Sequence, residues 1–199
     1  MTDEAPEADV EGSGDAEEGA TAIVLDFLPH GRTEDDRPQY QKQPLAYALG
    51  VADFRLYELV VDGDADVGID DRIRVPGEDF VETAHEVTFE DLPRGARSEL
   101  EYVVEDLVAA DEQRFVDFYN EAQPITLRLH QLNLLPGIGK KLRNTVLDVR
   151  DRRPFESFED LEARVDGLHN PEEILVERIL EELREEDLKY RTFVGRDES

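Results

Sequence analysis

Cysteine is absent from this 199-residue chain, lysine is scarce, and no apolar run approaches the length of a membrane span. The lack of cysteine excludes disulfides, thiolate catalysis and zinc ribbons. A helix that crosses a bilayer needs about 20 consecutive apolar residues, and the N-terminus is acidic, unlike a secretory signal peptide. We therefore expect a cytoplasmic protein that does not contact a membrane.

Cations are also few: 22 Lys and Arg stand against 50 Asp and Glu, which gives a formal net charge of −28. Only four of the 22 cations are lysines. In molar salt the Debye length falls to about 3 Å, so self-repulsion is screened, and carboxylates keep a surface hydrated. The composition favours a halophilic protein. A mesophilic protein with disordered acidic segments is the alternative.

Composition divides the chain into four segments. Residues 1–20 hold eight acids and no base, which predicts a disordered acidic tail. Five short β-type runs separated by turn residues lie in 21–92 and predict a small closed barrel of the oligonucleotide-binding (OB) type. Helical periodicity dominates 93–187, and 188–199 is expected to contain a final strand and a tail. The predicted fold class is α+β, with an OB-like barrel followed by an all-helical domain.

The helical half is predicted to contain six helices. Apolar residues at three- and four-residue steps indicate a helix around 100–108, and a second covers 115–119. A third is expected over 125–135, ending before Pro136, and a fourth over 139–151. Ser157 has the spacing of a helix cap, and Pro171 followed by two acids opens the last helix. A closing strand is expected at 190–194.

The segment 134–141, Leu-Leu-Pro-Gly-Ile-Gly-Lys-Lys, has the chemistry of the tight turn in a helix-hairpin-helix. Two glycines allow the backbone to reverse tightly and to approach another surface closely. Amides that open a helix lack intrahelical acceptors and bind anions, and half of the chain's lysines lie beside them. The pattern favours a clamp for a phosphate backbone. An ordinary helix–helix turn is the alternative.

The same region is a basic island, since residues 126–153 hold seven cations and two acids, a net charge of +5. A phosphate backbone would account for such an island in so acidic a chain. Arg128 and His130 either extend this surface or lie on a helix face that pairs with acids. The predicted nucleic-acid-binding residues are Pro136, Gly137, Ile138, Gly139, Lys140, Lys141, Arg143, Arg128, His130 and Arg150.

Residues 22–194 resemble an uncharacterised archaeal family, domain of unknown function 655. The matching strings are VLDFLPHGR (24–32), RPQY (37–40), RFVDFYNEAQPITLRLHQLNLLPGIGKK (114–141), RPFESFEDLEARV (153–165) and KYRTFV (189–194). The resemblance implies an OB-like barrel followed by a helix-hairpin-helix. It also implies nucleotide or RNA binding, which is the function predicted for the family. Genes of the family tend to lie near those for translation and transcription components and an rRNA dimethyltransferase, so the resemblance implies a role around RNA or the ribosome.

The function expected from the sequence is therefore non-enzymatic binding of nucleic acid, with RNA favoured over DNA, in translation or RNA metabolism. Three alternatives stay open: an adaptor of the ribosome or RNA polymerase, a DNA-binding repair-type protein, and an enzyme acting on nucleic acid. No cofactor and no metal are expected, because the four histidines are scattered without metal-type spacing.

Overall fold

The computed structural model describes residues 19–32, 36, 38 and 41–195. The predicted tail, 1–20, lies outside these residues except for its last two positions. The described chain is a mixed α+β fold, in which a curled five-stranded antiparallel sheet packs against five α-helices. The strands are β1 (Ala20–Leu28), β2 (Leu45–Gly50), β3 (Leu56–Val61), β4 (Arg72–Val75) and β5 (Val81–Val87).

Two of the strands are buried on both faces. In β1, Ile23 and Leu25 pack towards the helices, whereas Ala22 and Val24 join a second cluster on the opposite side of the sheet. The register of β1 against β2 shifts between Val24 and Asp26, which adjusts where successive side chains point. Burial on both faces explains why these strands are continuous apolar runs and do not alternate.

The sheet is a half-barrel, and the closed barrel predicted from the sequence is wrong in this respect. The strand order is β4-β1-β2-β3-β5, and no ladder joins β4 to β5 within the described residues. Both edge strands carry exposed charges, Arg72 and Arg74 on β4 and Glu82 and Glu86 on β5. Charged side chains along an edge disfavour further strand pairing.

The helices are α1 (Arg94–Ala110), α2 (Glu112–Glu121), α3 (Lys140–Arg150), α4 (Phe158–Arg164) and α5 (Pro171–Arg184). The predicted apolar stripe of α1 is buried, and it packs on β1 and α5. Ser157 caps α4 as expected, since its side chain accepts a hydrogen bond from the Asp160 N–H. The principal core is continuous from β1, β2 and β3 into all five helices.

The predicted helix over 125–135 is wrong. Pro124 and His130 form an antiparallel bridge, and only Gln131–Leu134 are helical, as a 3-10 turn. The Thr126 hydroxyl accepts hydrogen bonds from the Arg128 and Leu129 N–H groups. A side chain that satisfies nearby amides in this way competes with helix formation, and the sequence periodicity does not report that competition.

The strand predicted at 190–194 is also wrong. The amides of Thr192, Phe193 and Val194 all donate to the carboxylate of Glu182 on α5, at 2.7, 2.8 and 3.0 Å. Glu182 is fully buried and also accepts a hydrogen bond from Arg178 at 2.8 Å. A carboxylate therefore satisfies the amides that a neighbouring strand was expected to satisfy.

Candidate nucleic-acid interface

The turn between the 3-10 segment and α3 is held by two apolar anchors. Leu135 and Ile138 are buried, and the Ile138 N–H donates to the Leu135 carbonyl at 3.2 Å. Gly137 lies between them with a φ of 75°, in the left-handed region that glycine adopts without strain. The sequence therefore fixes a turn whose hydrophobic residues point inwards and whose glycines remain on the surface.

The first turn of α3 presents open amides to solvent. The Arg143 N–H donates to the carbonyl of Gly139, the N-cap residue, at 2.9 Å. Within the described residues the N–H groups of Lys140, Lys141 and Leu142 have no acceptor, and no side chain caps the helix. Three consecutive donors at the positive end of a helix dipole form an anion-binding arrangement.

The two glycines that precede these amides are uncovered in the described structure. Gly137 and Gly139 are exposed, and a Cβ built on either residue would meet no atom within 4 Å. Gly139 has φ −77° and ψ 177°, an extended conformation that any residue adopts. Because the fold itself does not require glycine at 139, its missing side chain leaves room for close approach from outside.

Lys140 and Lys141 add formal charge beside the open amides. Both side chains are exposed, and neither makes an ion pair or a hydrogen bond to another described residue. Arg143 is more restrained, because its Nη1 donates to the Asn133 Oδ1 at 3.0 Å. Asn133 also donates to the Ile138 carbonyl at 3.1 Å, so it ties Arg143 to the turn. Asn133 was not among the residues predicted from the sequence, because its role depends on contacts that only the fold creates.

Two other predicted residues are engaged inside the protein. The Arg150 Nη1 donates to the carbonyls of Tyr119 and Ala122, both at 3.0 Å, and so satisfies the C-terminal end of α2. His130 is buried, and its Nδ1 accepts the Leu132 N–H at 3.2 Å. Both side chains therefore stabilise the structure beneath the turn, through Arg150 Nη1 and His130 Nδ1.

Burial, together with the nearby charges of Arg150 and Arg143, lowers the pKa of His130 below its ordinary value of 6.5. The unfolded chain therefore takes up a proton before the folded protein does. The stability that this histidine contributes is fully present above pH 6.5 and is lost as the pH falls below it. We therefore expect the melting temperature to decline as the pH falls below 6.5.

The control for this pH effect is His130→Asn. Asparagine can accept the Leu132 N–H through its side-chain oxygen but does not titrate. The melting temperature of the variant should therefore fall less as the pH drops below 6.5, whatever its absolute stability. Parallel slopes for the wild type and the variant would contradict the assignment.

The sequence segment that carries the turn contains no carboxylate. Residues 122–147 are 26 consecutive positions without an Asp or Glu, although the chain averages 50 acids in 199 residues and would place between six and seven there. Arg128 lies in this segment and is exposed. The stretch runs from the C-terminal end of α2 to the last turn of α3, so it includes every part of the candidate interface. A surface kept free of negative charge is suited to a polyanion.

Other kinds of site have little support in the described residues. No group of three or more His, Cys, Asp or Glu side chains in that part of the chain could hold a metal ion. Among the same residues, no helix has the length and apolar character that a bilayer span requires.

Comparison with known proteins places these features in a family. The family described as "Protein of unknown function (DUF655)" matches residues 18–195. The chain is 37% identical over 177 residues to "Uncharacterized protein MJ0038" of Methanocaldococcus jannaschii, with 87% of this chain and 78% of that protein covered. It also resembles the crystal structure of Af1531 from Archaeoglobus fulgidus, with a TM-score of 0.79, 40% identity, and 88% and 99% of the two chains covered. The chain therefore belongs to the DUF655 family of uncharacterised archaeal proteins.

Proposed function

We propose that this protein binds RNA non-enzymatically, and that the turn at 135–139 with the first turn of α3 clamps the phosphate backbone. The observation that carries the proposal is the set of three open amides at 140–142, together with an uncovered glycine and two exposed lysines that pair with no described side chain. These groups contact phosphates and carry no base information, so binding should tolerate many sequences. We further propose that the segment 131–150 acts as a helix-hairpin-helix in which a 3-10 turn replaces the first helix.

The half-barrel is proposed to be OB-like and to supply a second contact surface. Its order β4-β1-β2-β3-β5 places the first strand between the second and the fourth, as in OB barrels, although β4 and β5 do not close it. OB folds bind single-stranded nucleic acid along a sheet face. This likeness supports RNA over duplex DNA and a role near the ribosome or in RNA metabolism.

The acid excess supports a further proposal, that the protein works in molar salt. Under such conditions the release of counterions contributes little to binding, so affinity must come from hydrogen bonds in fixed geometry. Backbone amides held by buried Leu135 and Ile138 provide such bonds. A clamp built on amides, with few cations, is therefore compatible with a net charge of −28.

Gly139→Ala tests the proposal most directly. The new methyl group meets no protein atom within 4 Å, so the fold should be unchanged. It would stand where a phosphate must approach the amides of α3. Losing one hydrogen bond to a charged group costs about 1.5–3 kcal/mol, so the dissociation constant for a structured RNA should rise about 10- to 100-fold. Fluorescence anisotropy at molar salt measures the change.

Gly63→Ala is the matched control, because a Cβ at Gly63 also meets no atom within 4 Å and lies in the loop between β3 and β4. This variant should bind as the wild type does. If Gly139→Ala retains wild-type affinity while its melting temperature is unchanged, no phosphate approaches this turn and the proposed clamp is refuted.

A second candidate function is that of an acidic adaptor for a basic partner protein. A cleft of about 640 Å³ lies between α1, α4 and α5, with Phe158, Pro171 and Val176 among its apolar lining. Six carboxylates also line this cleft: Glu105, Asp106, Glu159, Glu162, Glu172 and Glu173. If the protein is such an adaptor, a protein of the ribosome or RNA polymerase should co-purify with it even after nuclease treatment. Loss of every partner on nuclease digestion would refute it.

A further inference from the structure

Residues 124–130 form a short projection, here called the finger, immediately before the 3-10 turn. The bridge between Pro124 and His130 closes its base, and the Gln131 N–H donates to the Gln123 carbonyl at 3.0 Å. Above the base, the Ile125 and Thr126 N–H groups both donate to the Leu129 carbonyl, at 2.8 and 3.0 Å. The finger is therefore a closed hydrogen-bonded loop.

The tip of the finger is also fixed internally. The Thr126 Oγ1 accepts the N–H of Arg128 at 3.2 Å and that of Leu129 at 3.0 Å. At the base, His130 is buried and accepts the Leu132 N–H, and Leu132 is itself fully buried. These contacts brace the finger from both ends, so the side chains at its tip are held in a defined position before any partner binds.

Leu127 occupies that tip and has no packing partner. Its side chain is 107% exposed, whereas the next most exposed large apolar residue in the described structure, Tyr102, is 64% exposed. Full burial of a leucine is ordinarily favourable, and isolated exposed leucines are common on protein surfaces. What distinguishes Leu127 is that a braced loop presents it, beside the exposed guanidinium of Arg128.

The surroundings of the finger define the kind of partner that would cover Leu127. The finger lies entirely within the carboxylate-free stretch, residues 122–147. A single 3-10 turn of four residues, Gln131–Leu134, separates it from the turn that carries the open amides. The occupant must therefore combine negative charge for the amides with an apolar face for Leu127, and a nucleotide with an unstacked base meets both requirements.

We infer that Leu127 packs against a nucleobase that is unstacked at a loop, bulge or strand end of the bound RNA. This inference rests on the proposed function, because the clamp would hold the backbone a few nucleotides away. Proteins insert apolar side chains against base steps in this way, and RNA offers splayed bases mainly in single-stranded elements. The finger would thus select RNA that has an unpaired base next to the clamped backbone. Fully paired RNA lacks the base that Leu127 needs.

The test compares two labelled, blunt-ended RNA duplexes that differ by one bulged 2-aminopurine. Wild-type protein should bind the bulged duplex more tightly than the fully paired one and should change the 2-aminopurine emission. Leu127→Ala should weaken binding to the bulged duplex about tenfold, the scale of burying one apolar side chain, and should abolish the emission change. Its affinity for the paired duplex should not change. Because the Leu127 side chain is fully exposed, the melting temperature of the Leu127→Ala variant should stay at the wild-type value.

Ile69→Ala is the matched control, since Ile69 is also exposed, at 51%, but lies in the loop before β4. It should leave both affinities and the emission change unaltered. The inference would be overturned if Leu127→Ala preferred the bulged duplex as strongly as the wild type does, or lost affinity equally for both duplexes. It would also be overturned if Leu127→Ala kept full RNA affinity but no longer bound a protein partner that survives nuclease treatment. Gly139→Ala distinguishes the two proposals, because wild-type affinity in that variant would refute the clamp itself.

Discussion

Replacing both Lys140 and Lys141 with glutamate is expected to weaken RNA binding at least a hundredfold while the protein stays folded. Both side chains are exposed, and within the described residues they pair with no acid, so the fold loses no contact. Two attractive charges beside the clamped phosphate become repulsive. A hydrogen bond to a charged group contributes about 1.5–3 kcal/mol, and losing two corresponds to a factor of about 10² or more. Anisotropy titrations with a structured RNA measure the loss.

The chain offers a control of the same charge, because its two other lysines lie elsewhere. Lys42→Glu combined with Lys189→Glu changes the net charge from −28 to −32, as the first pair of substitutions does. If the island around the turn binds RNA, this control should retain most of the affinity. If both double variants lose affinity equally, overall charge governs binding and the turn has no special role.

The ends of the helices were predicted best where a single residue determines where the helix begins. Pro171 begins α5, Ser157 caps α4, and α3 begins directly after Gly139. In each case the determining interaction lies within four residues along the chain, so the sequence contains all of its partners. The apolar stripe of α1 was predictable for the same reason, because its period of three and four residues directly reflects one buried face.

The wrong predictions fall where a polar group competes for backbone amides. In the finger, the Thr126 hydroxyl and the Pro124 bridge replace a helix, although Ile125, Leu129 and Leu132 have helical spacing. At 192–194, the carboxylate of Glu182 takes the place of a strand. Hydrophobic periodicity predicts neither case, because the spacing of apolar residues does not show which acceptor a backbone amide binds.

In the candidate site, too, local features were predictable from the sequence and tertiary contacts were not. Its turn could be located from the glycines and lysines, but the sequence could not tell which cations are free. Lys140 and Arg150 both lie in the basic island, yet Arg150 is bound to the carbonyls that end α2. Leu127 had been assigned to a helix, and its exposure depends on a finger that only the fold defines. The proposed base contact at Leu127 was thus less predictable from the sequence than the proposed backbone clamp at the turn.

The second large effect concerns stability: Glu182→Ala should destabilise the protein by about 3–5 kcal/mol. Glu182 is fully buried. Its carboxylate accepts hydrogen bonds from Arg178 on α5 and from the three amides at 192–194. Removing its carboxylate leaves a buried guanidinium and three amides without this partner. The terminal segment, including the buried Phe193, should detach from the helices. For a chain of this size the melting temperature should fall by about 10 °C or more.

Glu181→Ala is the matched control for Glu182→Ala, because it removes a carboxylate from the same helix and from the same arginine. Glu181 also contacts Arg178 at 2.8 Å, but its side chain is 44% exposed, so solvent screens the pair and water can replace it. The expected loss is therefore below about 1 kcal/mol. Similar losses in both variants would show that the ion pair with Arg178 dominates. A much larger loss for Glu182→Ala would show that the carboxylate acts chiefly by holding the terminal segment, since only Glu182 reaches those amides.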